Sequence, residues 1–157
     1  MTTLAQSFGT SSSFTLNSTS WAQAVTISSD AVNVAGIATI PDDIQITVKV
    51  TFPNATIGAQ NAVNVYVSCS EDGTTYDEND QYSGTNNSHT TLRLPSNYKG
   101  PVVLTATANV VTALTFSLLS LGLGSMPRKF GIILENQCSQ TIATVSATYT
   151  PINYTNA

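Results

Sequence analysis

A chain of 157 residues with a formal net charge of −4 fits one domain, and roughly two-thirds of its unfolded surface can be buried without a metal or disulfide scaffold. Its five basic residues are too few to neutralise a nucleic-acid backbone, so no nucleic-acid partner is expected. Charged residues make up 9% of the chain, so Thr, Ser and Asn must supply the polar surface, which suits strands and surfaces that pack against neighbours.

Residues 1–20 are rich in Ser and Thr, with isolated Phe8, Phe14 and Leu16. An extended N-terminal arm is expected there, with Phe8 and Phe14 as anchors that are candidate partner contacts, and a single β-sandwich domain over residues 21–157. The opening Met-Thr-Thr-Leu-Ala-Gln-Ser-Phe-Gly has neither a basic nor a long apolar region, so no secretory signal is expected. Trp21, Val25 and Ile27 mark a first strand. Residues 32–40 read as a second, with Val32, Val34, Ala38 and Ile40 on one parity and Gly36 at a bulge. Pro41-Asp42-Asp43 then turns the chain into the clearest signal, residues 43–52. Ile44, Ile46, Val48, Val50 and Phe52 alternate with Gln45, Thr47, Lys49 and Thr51. Period-two spacing buries one side of a strand and wets the other, whereas a helix would scatter the same residues around its circumference.

Val63, Val65, Val67 and Cys69 form the next alternating face. Asp72-Gly73, followed by Thr74-Thr75-Tyr76, has the composition of a tight hairpin turn. Residues 77–89 read as a polar loop around Tyr82. Leu92 and Leu94 suggest a short strand, and Lys99-Gly100-Pro101 punctuates the connection to another over 102–108. Residues 110–121 are ambiguous: their Thr content favours a strand, while Ala113-Leu114 and Leu118-Leu119 suit a short helix. The same stretch, to Leu123, is the most apolar in the chain but is too short and too polar to span a bilayer, so no membrane partner is expected. Phe130, Ile132 and Leu134 give a further strand. Ala143, Val145, Ala147 and Tyr149 give the last, stopped by Pro151. Nine or ten short strands with no crossover helices predict an all-β, antiparallel two-sheet sandwich of Ig-like or jelly-roll type.

No catalytic set emerges, and the expectation is a protein that is not an enzyme and carries no cofactor. His89 is the only histidine and has no nucleophile elbow to serve. Two cysteines, Cys69 and Cys138, with one histidine make no tetrahedral zinc set, and whether they pair is open on count alone. Five of the nine acids lie between Glu71 and Asp80. Asp72, Asp77, Glu78 and Asp80 crowd oxygen ligands as Ca²⁺ requires. They lack the glycine and the later glutamate of an EF-hand loop, so a solvated acidic loop is expected and no metal is assigned. Met126-Pro127-Arg128-Lys129 sets two of the five cations beside an apolar tip at the mouth of a strand. Such a tip can dock on an acidic partner surface.

Three passages carry a resemblance: V-Y-V-S-C-S-E-D-G-T-T-Y-D-E-N, L-R-L-P-S-N-Y-K-G-P-V and M-P-R-K-F-G-I-I-L-E-N-Q. Together, over about residues 62–136, they resemble small virion proteins of tailed bacteriophages. The resemblance implies a structural role on the particle, as a capsid decoration or cement protein assembled in the host cytoplasm. Its partners would be the major capsid protein and copies of itself, with a trimer at local three-fold positions as one arrangement. It implies no catalytic residues. The rival expectation is a tail-associated or host-glycan-binding sandwich, for which Tyr66, Tyr76, Tyr82 and Tyr98 are the candidate contacts.

Overall fold

The computed structural model describes all residues except 1–3, 18–20, 52–60, 77–81, 90–97, 104–109, 139, 143 and 157, and only the backbone of His89 and Asn156. Two antiparallel sheets pack face to face. Strands β1 (Leu4–Phe8), β2 (Ser12–Ser13), β5 (Asp43–Thr51), β9 (Val111–Ser117) and β11 (Thr144–Asn156) form the first, in the order β1-β11-β5-β9, with β2 following β1 along β11. The second holds β3 (Thr26–Ser28), β4 (Val32–Asn33), β6 (Ala62–Ser70), β7 (Asn87–His89), β8 (Tyr98–Val103) and β10 (Lys129–Asn136). Its order is β7-β3-β10-β6-β8, with β4 beside β3 on β10. The all-β two-sheet sandwich is therefore the fold, built from eleven strands among the described residues.

The alternation in β5 is the reason the sheets meet. Ile44, Ile46, Val48 and Val50 are fully buried. They face Val63, Val65 and Val67 of β6 and Phe130, Ile132 and Leu134 of β10 in one continuous core. Each such side chain contributes about 1.5–3 kcal/mol on burial. On the opposite face of β5, Thr47 pairs with Thr115 of β9 through their hydroxyls at 3.0 Å.

Strand β10 is buried on both sides. Ile133 points away from the main core yet is fully buried, packed with Tyr82 under partial cover from Ala31, Tyr66 and Tyr76. The unbroken run Phe130–Leu134 carries this double burial, since a strand covered on both faces loses its alternation. Cys69 and Cys138 are both buried in the main core.

Several sequence expectations are corrected. Residues 32–40 are not one strand. β4 stops at Asn33, whose side chain accepts from the Ala35 N–H at 3.2 Å and caps a 3-10 turn over Val34–Gly36. Gly36 thus lies in that turn, not in a bulge, and Ile40 is 70% exposed. The strand expected from Trp21, Val25 and Ile27 is only Thr26–Ser28, and Trp21 instead forms an isolated bridge with Ile142. Asp72-Gly73 makes the tight turn, with Gly73 at φ +83°, but Thr74–Tyr76 form no strand, so there is no hairpin. Lys99-Gly100-Pro101 lies inside β8, where a register shift opposite Val65/Tyr66 absorbs Gly100 at φ +125°. Residues 110–121 divide into β9 and a 3-10 turn, Leu119–Leu121, closed by left-handed Gly122.

Pro151 does not end β11. The Ile152 carbonyl accepts from Asp42 and so faces β5, which turns the Pro151 carbonyl the other way, onto the Gly9 N–H at 2.8 Å. The missing proline N–H therefore points at residues 9–11, the gap between β1 and β2, where no ladder bond is lost. Leu92, Leu94 and Phe52 lie outside the described residues.

Candidate functional site

The antiparallel register of β6 and β10 pairs Ser70 with Lys129. The turn leaving β6 and the segment entering β10 therefore meet at one end of the sandwich. Asp72 rigidifies the turn: one carboxylate oxygen accepts from the N–H groups of Thr74 and Thr75, each at 2.7 Å, and from Ser70 Oγ at 3.0 Å. The Thr75 and Thr74 amides hold this carboxyl well below the usual range. A side chain on Gly73 would lie 3.8 Å from the Cβ and Cδ of Arg128, so the turn and the basic segment are in contact. From the other side the Val34 N–H donates to the Arg128 carbonyl at 3.0 Å.

These elements enclose a groove of about 530 Å³. Met126, Pro127, Val34 and Ile40 supply apolar lining, and Arg128 and Lys129 supply positive charge. The structure thus places the Met126-Pro127-Arg128-Lys129 tip beside Asp72 and Gly73, two features remote in sequence. Ile40 completes the lip. Its sequence position on the apolar parity of residues 32–40 pointed to a core, and the 3-10 turn overturns that.

The other candidates lie elsewhere. Phe8 is 57% exposed on β1, away from the groove. Phe14 is a core residue and not a free contact: it is buried, with edge-on rings to Phe130 at 5.9 Å and Tyr149 at 5.2 Å. Asp77, Glu78 and Asp80 lie outside the described residues. Among the described residues no three His, Cys, Asp or Glu side chains gather in a metal-binding group.

The four tyrosines gather on the outer face of the second sheet. Tyr82 is buried and packs edge-on against Tyr76 at 4.8 Å, so it serves the small outer core. Tyr66 and Tyr98 pair at 5.2 Å, and Tyr98 is 48% exposed. Glu135 Oε2 accepts from Asn64 Nδ2 at 2.9 Å and from Tyr66 at 3.3 Å, while Tyr98 donates to Asn64 Oδ1 at 3.3 Å. Burial, then the Glu135 charge, push the Tyr66 hydroxyl up to about 12. Tyr66 therefore stays a neutral donor. Asn64 and Glu135 were missed from sequence. Asn64 is visible there only as a polar residue alternating with valines, and its partnership depends on the β6–β10 register.

A second hollow of about 580 Å³ lies between residues 9–15 and 30–39, with Asp30, Phe14 and Tyr149 in its wall. The Asp30 carboxylate already accepts from the Asn86 N–H at 2.8 Å, which ties two loops together.

The described parts of the three passages that carry the resemblance fall on or next to the neighbouring strands β8, β6 and β10. Comparison with protein families, curated proteins and solved structures finds no match.

Proposed function

We propose that this chain is a bacteriophage virion structural protein that works by contact and performs no chemistry, as a decoration or cement subunit on the head. The observation that carries the reading is the groove at the β6–β10 end. It joins an exposed isoleucine and a partly buried Met126, beside a buried Pro127, to two of the five cations of a chain whose net charge is −4. Concentrating positive charge beside apolar surface on an otherwise acidic chain suits an acidic partner surface with an apolar projection, here assigned to the major capsid protein. Single contacts of this size are weak. Many copies around a closed shell add avidity and oppose outward pressure from packaged DNA.

The test uses heads prepared without the protein. Purified protein is expected to rebind and raise their rupture temperature, and Arg128→Glu with Lys129→Glu is expected to abolish rebinding at low salt. Absence of rebinding at every ionic strength would end the cement reading. Cryo-electron microscopy of the particle then separates a head position from a tail position.

A second reading is favoured by the exposed Tyr98 ring beside hydrogen-bonded Asn64 and Glu135, an arrangement that fits stacking and bonding to a host glycan. Glycan-array binding that survives Arg128→Glu but is lost on Tyr98→Ala would select it over the cement role.

A further inference from the structure

We infer that two copies of this chain pair through β1, edge to edge and antiparallel, to form one continuous sheet about a two-fold axis at Gln6. β1 is an edge strand: β11 lies on one side, and no strand flanks the other among the described residues. All five of its residues are exposed, with Leu4 at 61% and Phe8 at 57%.

The hydrogen-bonding direction follows from the ladder. The Ile152 carbonyl is turned toward β5, so Phe8, opposite Ile152, exchanges no bonds with it. The N–H and C=O of Phe8 therefore face outward, and by alternation so do those of Gln6 and Leu4. Three outward donors and three outward acceptors are centred on Gln6. A second β1 turned about that residue sets Leu4 against Phe8 of the other copy and Gln6 against Gln6.

The strand also lacks the features that keep natural edges apart. Leu-Ala-Gln-Ser-Phe has no charge and no proline, and its register with β11 runs without a bulge. No charge in either strand opposes the pairing, so the surface is compatible with itself, as a two-fold interface requires. Leu4, Gln6 and Phe8 share a face with Tyr154, which is 38% exposed and lies opposite Gln6. Two copies would bring both apolar clusters together across the joint. Dimerisation in dilute solution does not depend on the virion reading and is measured without particles.

Sedimentation equilibrium of the full chain from micromolar to millimolar concentration tests the pairing. A reversible monomer–dimer equilibrium is expected. Gln6→Pro removes only an N–H that points away from β11, so it blocks the joint and leaves the β1–β11 ladder in place. Leu4→Lys sets charge against the other copy. Each is expected to weaken association by about tenfold or more while near-ultraviolet circular dichroism shows the native fold. Register is tested separately by oxidising a mixture of Ala5→Cys and Ser7→Cys proteins. Those positions face each other at about 4.5 Å between Cα atoms in the non-bonded pairs, within disulfide reach. The mixture is expected to give a covalent dimer and either variant alone is not. A monomer at every concentration, or a dimer indifferent to both edge variants, would overturn the inference. So would cross-linking in the single-variant samples equal to that in the mixture.

Discussion

The Tyr82 hydroxyl donates to the Ser29 carbonyl at 2.8 Å while its ring lies directly over Gly131. A Cβ at position 131 would sit 2.8 Å from Tyr82 Cε1 and overlap the hydroxyl, so only glycine admits the ring. Gly131→Ala is expected to cost about 2–3 kcal/mol by overpacking. Tyr82→Phe is expected to cost about 1–2 kcal/mol, because a buried carbonyl loses its donor. In the double variant the hydroxyl overlap is gone and only the ring contact remains, so the two costs should sum to less than their separate values. Urea denaturation of the three proteins measures all of this.

Asp43 is buried at the start of the central strand. Its carboxylate accepts from the Ile44 N–H at 2.7 Å, the Leu119 N–H at 3.1 Å and Ser117 Oγ at 2.5 Å. It thereby binds the Leu119–Leu121 turn to β5. Asp43→Ala is expected to destabilise by about 2–3 kcal/mol. Asp43→Asn should cost about 1 kcal/mol, since its amide oxygen still serves both backbone donors and its nitrogen can donate to Ser117. Paired thermal melts decide between this network and simple loss of volume, which would leave the isosteric Asn variant at wild-type stability.

Asn136 is fully buried and uses both ends of its amide. Nδ2 donates to the carbonyls of Trp21 and Gln140, each at 3.0 Å, and Oδ1 accepts from the Cys138 N–H at 2.8 Å. Asn136→Asp sets acceptors against two carbonyls and should be worse than Asn136→Ala, which is expected to cost about 2–4 kcal/mol. Part of the Asp variant's loss should be recovered as pH falls and its carboxyl regains a proton. Chemical denaturation at neutral and mildly acidic pH checks that order.

Tyr66 gives a window at alkaline pH. Its folded pKa is about 12 against an ordinary value of 10.0, so the folded state holds the proton more tightly than the unfolded chain. The associated stability is present in full below pH 10 and is lost as pH rises through 12. Solvent around the ring screens the interaction, so the loss is expected to be on the order of 1 kcal/mol. In a spectrophotometric titration of native protein, Tyr66→Phe should delete a late-titrating phenol. Glu135→Gln should move that phenol toward its ordinary range, because it removes the nearby negative charge.

The parts of the fold legible in the residues are those where one face alone is dry. β5 and β6 announce themselves because solvent on the outer side forces alternation. β10 shows as an unbroken apolar run because Tyr82 and its neighbours cover its second face, and that cover comes from a loop remote in sequence. Residues 32–40 misled because alternation cannot see the Asn33 side chain closing a turn. The basic tip was visible as Met126-Pro127-Arg128-Lys129. Its meeting with the Asp72-Gly73 turn depends on the Ser70–Lys129 pairing, a long-range register with no local signal. For the same reason Phe14 read as a free anchor, although Phe130 and Tyr149 enclose it.

Strand β11 has 13 residues and pairs with β5 over Thr144–Ile152, and a two-residue slip would keep the same side chains inward. Pro151 works against that slip. Moved by two, its ring would lie opposite Ser7 of β1 or Ser12 of β2, where the backbone must donate. A misthreaded sandwich is thus penalised at one position, and Pro151→Ala should leave the native frame intact while admitting shifted frames during refolding.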